Sequence, residues 1–277
     1  MEGNRKFHLT GFADEISPDL EVQVRTLSRL GFRGLDLRTV DGTNVVDLSI
    51  DDLQRVNEAC REHGLEVSSI GSPVNKIQYD ILLQGREHDR LRKACKAASL
   101  LDCKRVRIFS PEVPADQHDA MSSTVIEWLR DQKRLAEGMG VVLIHENDGH
   151  FWGAYPKNAQ RLFEELGGET FRACFDFANS ELIGYKPMQD WFPWLLPHLD
   201  TLHIKDAKDG KILPAGEGDS QMEETLRWLI EQGWSGPLTI EPHLQAAGPF
   251  GGFSGEQLFE EAANALRGVL ARAGGAA

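Results

Sequence analysis

Four short apolar runs in the C-terminal half of the chain each end in a side chain able to ligate a divalent metal: Val141-Val-Leu-Ile-His-Glu146, Phe171-Arg-Ala-Cys-Phe-Asp176, Thr201-Leu-His203 and Pro237-Leu-Thr-Ile-Glu241. Read as strands, they deliver two glutamates, one aspartate and one histidine to a single point. The intervals between Glu146, Asp176, His203 and Glu241 are 30, 27 and 38 residues, each about one strand plus one crossover helix. Hard carboxylate oxygens with one imidazole suit a single divalent ion, Mn2+ first, with Mg2+, Co2+ and Zn2+ as alternatives. Four protein ligands leave an octahedral shell room for two substrate oxygens, and the adjacent hydroxyl and carbonyl of a sugar fit that gap.

Strand patterns alternate with amphipathic helix patterns from end to end. The spacing predicts strands over 8–12, 34–38, 65–71, 105–109, 141–146, 171–177, 201–205 and 237–241. Helices are expected near 19–30, 51–63, 85–101, 116–139, 157–166, 188–196, 221–232 and 255–273. Eight of each is the count of an α/β protein built as a single (β/α)8 TIM barrel, and one domain over 1–277 is the expectation. Ser17 before Pro18, Ser220 with Glu223, and Ser254 with Gln257 read as helix starts, whereas Gly31, Gly64 and Gly140 read as helix stops. Three loops after strands are long enough to carry function: 72–86, 206–220 and 242–255. The Gly216-Glu-Gly218 and 248–255 segments read equally as ligand wraps and as flexible loops.

Side-chain alternation sorts the remaining candidates. With Val106 and Ile108 toward the helices, Arg107 turns to the barrel mouth, and by the same phase Arg38 turns inward. Arg38, Arg107, Asn179 and Lys205 are therefore the expected substrate contacts, and His145 is expected to face the helix layer. Phe151-Trp152 and Phe250-Gly-Gly-Phe253 are aromatic loop segments that either meet a ligand or pack the loops.

The formal net charge is −13, which argues against a nucleic-acid partner because phosphate neutralisation requires a basic patch. No apolar stretch of about 18 residues is present to span a bilayer, and the first residues hold no apolar leader core. A cytoplasmic protein acting on a small molecule is the expectation, with no membrane partner; a homo-oligomer or a partner subunit covering the mouth stays open. Cys60, Cys95, Cys103 and Cys174 form no CxxC pair and read as reduced core thiols.

The segments Ile144-His-Glu-Asn147, Cys174-Phe-Asp-Phe-Ala-Asn179, Leu202-His-Ile-Lys-Asp206, Gly216-Glu-Gly-Asp219 and Thr239-Ile-Glu-Pro242 together resemble the sugar phosphate isomerase/epimerase family, with its xylose isomerase-like TIM barrel. The likeness runs over nearly the whole chain. It implies that Glu146, Asp176, His203 and Glu241 hold the metal. It also implies that Glu146 and Glu241 serve as acid/base pair on opposite faces of a ketose, through an enediolate held at the metal. The same resemblance takes in inosose-type dehydratases, hydroxypyruvate isomerases, C-glycoside or 3-keto-glycoside cleaving enzymes and apurinic endonucleases, so a lyase is the alternative. A sugar-binding protein without activity and an endonuclease rank below both. Ketose 3-epimerases typically carry His and Arg where this chain has Asn179 and Asp209, which removes the usual grip on the substrate's terminal oxygens.

Overall fold

The computed structural model describes residues 7–248 and 251–275. The expectations for the leader segment 1–6 and for Phe250 lie outside the described residues. Eight strands form the barrel: β1 (His8–Gly11), β2 (Gly34–Leu37), β3 (Glu66–Ile70), β4 (Arg105–Ile108), β5 (Val142–Glu146), β6 (Phe171–Asp176), β7 (Leu199–Ile204) and β8 (Pro237–Ile240). They run parallel in the order β1-β8-β7-β6-β5-β4-β3-β2 and close on themselves. Around them lie α1 (Leu20–Arg29), α2 (Ile50–Glu62), α3 (Gln84–Leu100), α4 (His118–Gly138), α5 (Pro156–Leu166), α6 (Phe177–Leu182), α7 (Phe192–Leu195), α8 (Met222–Glu231) and α9 (Gly255–Ala273). The chain is a single (β/α)8 TIM barrel.

Apolar residues on the outer strand faces, such as Leu35, Leu37, Val106, Ile108 and Leu143, are buried against the inner faces of these helices. The barrel interior is more polar. Thr10 and Thr239 share a hydrogen bond of 2.8 Å across the β1–β8 pair, and Ser69 Oγ donates to Asp36 at 2.6 Å. The ladder between β3 and β4 is held at one register position, Ile70 beside Val106, whereas β4 and β5 are in register over four.

Several expected caps are replaced. Asp19, not Ser17, caps α1 by accepting from Val22 N at 3.0 Å. Ser220 turns away from α8 and donates to Asp206 Oδ1, so α8 starts from Gln221 in a left-handed turn without a side-chain cap. Ser254 donates to Glu15 Oε2 at 3.1 Å instead of capping α9. For Ser220 and Ser254 a buried carboxylate elsewhere in the fold, Asp206 or Glu15, out-competes the local helix start. Gly31, Gly64 and Gly140 do end helices in the left-handed region, with φ of 73°, 69° and 70°, where a side chain would be strained.

After β6 the sequence reading expected one helix at 188–196. The structure begins α6 at once, because Asp176 at the strand end accepts from Asn179 N at 2.8 Å and caps it. A wide turn over Pro187–Trp191 and α7 complete the crossover. Three hairpins follow strand ends at the mouth, Thr39–Val40 with Thr43–Asn44, Asp206–Lys208 with Lys211–Leu213 and Ala246–Gly248 with Gly251–Phe253.

Candidate metal and substrate site

The C-terminal ends of β5, β6, β7 and β8 bring Glu146, Asp176, His203 and Glu241 together, all buried, with one ligand atom of each within 4.8 Å of the others. His203 Nδ1 lies 3.0 Å from Glu146 Oε1 and 3.5 Å from Glu241 Oε2. The ring is fixed from below by Phe12, edge to face at 5.3 Å. Asn147, at the end of β5, receives Asp176 N at 2.7 Å and donates to Asp176 O at 3.0 Å, which locks the aspartate's backbone in place.

Cations surround this group. Lys205 Nζ is 3.1 Å from Asp176 Oδ2 and 3.5 Å from Glu241 Oε2. Arg107 Nη1 is 3.2 Å from Glu146 Oε2 and 3.9 Å from Glu241 Oε1. Arg38 forks onto Asp14 at 2.7 and 2.9 Å and reaches Glu241 Oε1 at 2.7 Å. Both guanidinium groups stand over the Phe12 ring, at 4.7 and 4.9 Å from its centroid, a favourable placement for a cation. Asn179 Nδ2 is 3.4 Å from Glu146 Oε1. All eight residues singled out by sequence thus lie at one mouth. His145 does not: its ring packs between Phe163 and Phe171 on the helix side, as the alternation predicts, and burial pushes its pKa down to about 4.

The electrostatics show what the group lacks. Even with the His203 imidazole counted as a cation beside Arg38, Arg107 and Lys205, the five carboxylates Asp14, Glu15, Glu146, Asp176 and Glu241 outnumber them. Burial, against the pull of Lys205 and with the push of Glu146 and Glu241, raises Asp176 to about 6. Burial also opposes the charge on Glu146, but the nearby His203 and Arg107 outweigh it and bring the carboxyl to about 2. Glu146 Oε2 and Asp176 Oδ2 are buried without a hydrogen-bond partner, although each lies beside a cation. Orphaned carboxylate oxygens, an imidazole nitrogen and surplus negative charge are what a hard divalent cation satisfies. The donor set therefore fits such an ion.

A cavity of about 640 Å3 opens above these residues. Arg107, Glu146, Asn179, Lys205 and Glu241 form its polar end, and Ile77, Phe151, Leu182 and Ile212 its outer wall. Of the aromatic pair after β5, Phe151 lines the cavity, but Trp152 is fully buried and donates to His118 O at 3.2 Å, so it packs the loop. In the glycine-rich segment after β7, Gly216 N and Gly218 N donate to Asp206 Oδ2 at 2.9 and 3.0 Å. Its turn is organised by that buried aspartate.

Sequence reading missed Asp14, Glu15, Asp36 and His243. Asp36 shares the inward phase of Arg38, two residues on, and was legible by the same alternation. His243 sits two residues past Glu241, a weak signal. Glu15 had none, since its contact with His243 spans 228 residues of chain.

Among the described residues no helix is long and apolar enough to cross a membrane. No curated protein matches the chain in sequence. Its fold resembles 3-keto-D-glucoside 4-epimerase YcjR from E. coli, with TM-score 0.73 and 16% identity over 95% of this chain and 99% of that one. It also resembles the probable 3-DHS dehydratase AsbF from Bacillus anthracis, with 0.73 and 15% over 94% and 98%. A third similar structure is a xylose isomerase-like TIM barrel protein from Mycobacterium smegmatis in complex with magnesium, with 0.67 and 17% over 96% and 97%. Identities this low establish a shared fold. The model of the xylose isomerase-like TIM barrel family matches residues 24–269, and the chain belongs to that family.

Proposed function

We propose that the chain is a divalent-metal-dependent isomerase or epimerase of a sugar or keto-sugar. In this reading Glu146, Asp176, His203 and Glu241 hold the ion, Mn2+ first, and Glu146 and Glu241 are the acid/base pair. The observation that carries it is the approach of two buried glutamates to one imidazole nitrogen, at 3.0 and 3.5 Å, on the floor of a cavity. The bound ion would polarise the carbonyl and hydroxyl oxygens of the substrate. One glutamate takes the proton from the carbon α to the carbonyl, and the other, carrying a proton drawn from solvent, delivers it to the opposite face of that carbon; the first then gives its proton to solvent, which resets the pair. Arg107, Lys205 and Asn179 line the polar end and hold substrate oxygens, which keeps the reacting carbon between the two carboxylates. Arg38 holds Glu241 by a hydrogen bond of 2.7 Å and so aims it.

The apolar outer wall favours a second reading, a lyase with the same first step. There the proton is removed as before, but the bond from the β carbon to its leaving group breaks, a C–O bond in a dehydration or an O-glycoside and a C–C bond in a C-glycoside. The departing oxygen or aglycone carbon keeps the electron pair and takes a proton from the second glutamate, which enters the step protonated. Ile77, Phe151, Leu182 and Ile212 would shelter such a leaving group, a dehydratase or C-glycoside/3-keto-glycoside cleaving outcome.

The test is a panel of keto-sugars, sugar phosphates, inosose and 3-keto-glycosides with Mn2+ in D2O, reading epimerised and eliminated products. Deuterium should enter the carbon α to the carbonyl. Product without deuterium there, or full activity in metal-stripped protein, overturns the reading.

A further inference from the structure

His243 lies at the cavity rim, in an arrangement that the acid/base chemistry above does not use. Its backbone adopts φ of 50°, a left-handed conformation that a histidine enters at a cost and that persists where surrounding structure enforces it. The enforcing group is Glu15, fully buried on the turn after β1. Its carboxylate accepts from His243 N at 2.8 Å and from Ser254 Oγ at 3.1 Å, and it meets His243 Nδ1 at 2.5 Å. Gly252 lies flat against the ring, where any Cβ would collide with Nδ1. With Nδ1 committed to Glu15, the ring turns Nε2 toward the cavity, 3.8 Å from Glu241 Oε1. His203 approaches the other oxygen of the same carboxylate, Oε2.

From this geometry we infer that His243 is a substrate-binding residue, which Glu15 positions so that Nε2 bonds a hydroxyl of the sugar beside Glu241. The inference rests on the mouth being a sugar site. It adds a requirement: the substrate carries a hydroxyl on the Arg38 side of Glu241, within reach of an imidazole nitrogen. Glu15 acts through the ring and not on the sugar.

The experiment uses full-length protein loaded with Mg2+, labelled with 15N-histidine, and D-fructose as the probe. Adding D-fructose should shift the His243 Nε2 resonance and leave Nδ1 nearly in place. The resonance is assigned with His243→Asn, since asparagine tolerates the left-handed backbone. His243→Asn should weaken D-fructose binding about tenfold, the worth of one well-oriented hydrogen bond, with metal content unchanged. Glu15→Gln should move Nδ1 in the free protein and weaken binding by a similar factor. No shift at His243, with or without one at His203, overturns the inference, as does unchanged affinity in His243→Asn. A His243 shift without deuterium incorporation in the panel above would instead separate this binding role from the proposed reaction.

Discussion

The two halves of the barrel bring different charged groups to the same mouth, the first both arginines with Asp14 and Glu15, the second the acids of the ligand group. The first half contributes two arginines, Arg38 after β2 and Arg107 within β4. The second supplies the four candidate ligands, from the ends of β5 to β8, and one cation, Lys205. Neither set could be buried alone, because an isolated ion removed from water costs several kcal/mol even after relaxation. Packed together at 2.7 to 3.9 Å they satisfy most of that cost, yet Asp176 Oδ2 and Glu146 Oε2 stay without hydrogen bonds. The comparison teaches that the arginines hold the acids in place without occupying the point on which those acids converge.

The largest effects should come from breaking the second half. His203→Ala removes the nitrogen central to the ligand group, and metal content should fall from about one ion per chain to none while the barrel still folds. Elemental analysis of untagged protein checks this, and retained metal would show that the four residues do not form one shell. Next, Glu146→Gln and Glu241→Gln should each lower turnover by about 10²-fold or more, the usual worth of general acid/base work, with part of the metal retained. A loss confined to one of the two would leave a single base and point away from epimerisation.

The arginines of the first half should separate from each other. Arg38 is fully paired, with Asp14 and Glu241. Arg38→Ala strands buried carboxylates at a cost of about 3–5 kcal/mol, and the melting temperature should drop by roughly 10 °C. Arg107 is held more loosely, with its Nε buried and unpartnered, so Arg107→Ala should mainly raise KM and move the melt less. Equal melting losses in both would make Arg107 a structural ion as well. The smallest effect is expected on the outer wall: Leu182→Ala should change KM for a simple ketose by less than about threefold, since an exposed apolar side chain adds little. A larger loss with 3-keto-glycosides than with ketoses would favour the lyase.

Much of the barrel was legible because strands β1 to β8 carry short apolar runs and most crossovers have a helical period, so boundaries agreed within a few residues except after β6, where α6 was missed and the expected helix at 188–196 is a turn followed by the short α7. The positions of Glu146, Asp176, His203 and Glu241 followed from those strand ends, and those of Arg38, Arg107 and Lys205 from strand phase. What the sequence hid was the set of contacts made by buried carboxylates across long separations. Asp206 draws Ser220 off its helix start, Glu15 draws Ser254 and His243, and Asp176 turns a strand end into a helix cap. Local patterns favour the nearest partner, whereas a carboxylate excluded from water recruits any donor the fold brings to it.

The single-register junction between β3 and β4 has a kinetic meaning. At the opposite end from the mouth, the two strands separate around a second cavity, of about 630 Å3, that borders Ser68, Cys103 and Lys104. Amides along this seam should exchange with solvent sooner than those of the β5–β8 arc, whose ladders each pair three or four residues, with one register shift between β6 and β7 at Ala173–Cys174. The barrel would then breathe first on the side that carries no candidate ligand, and the four ligand-bearing strands would keep their spacing through excursions that open the rest of the wall.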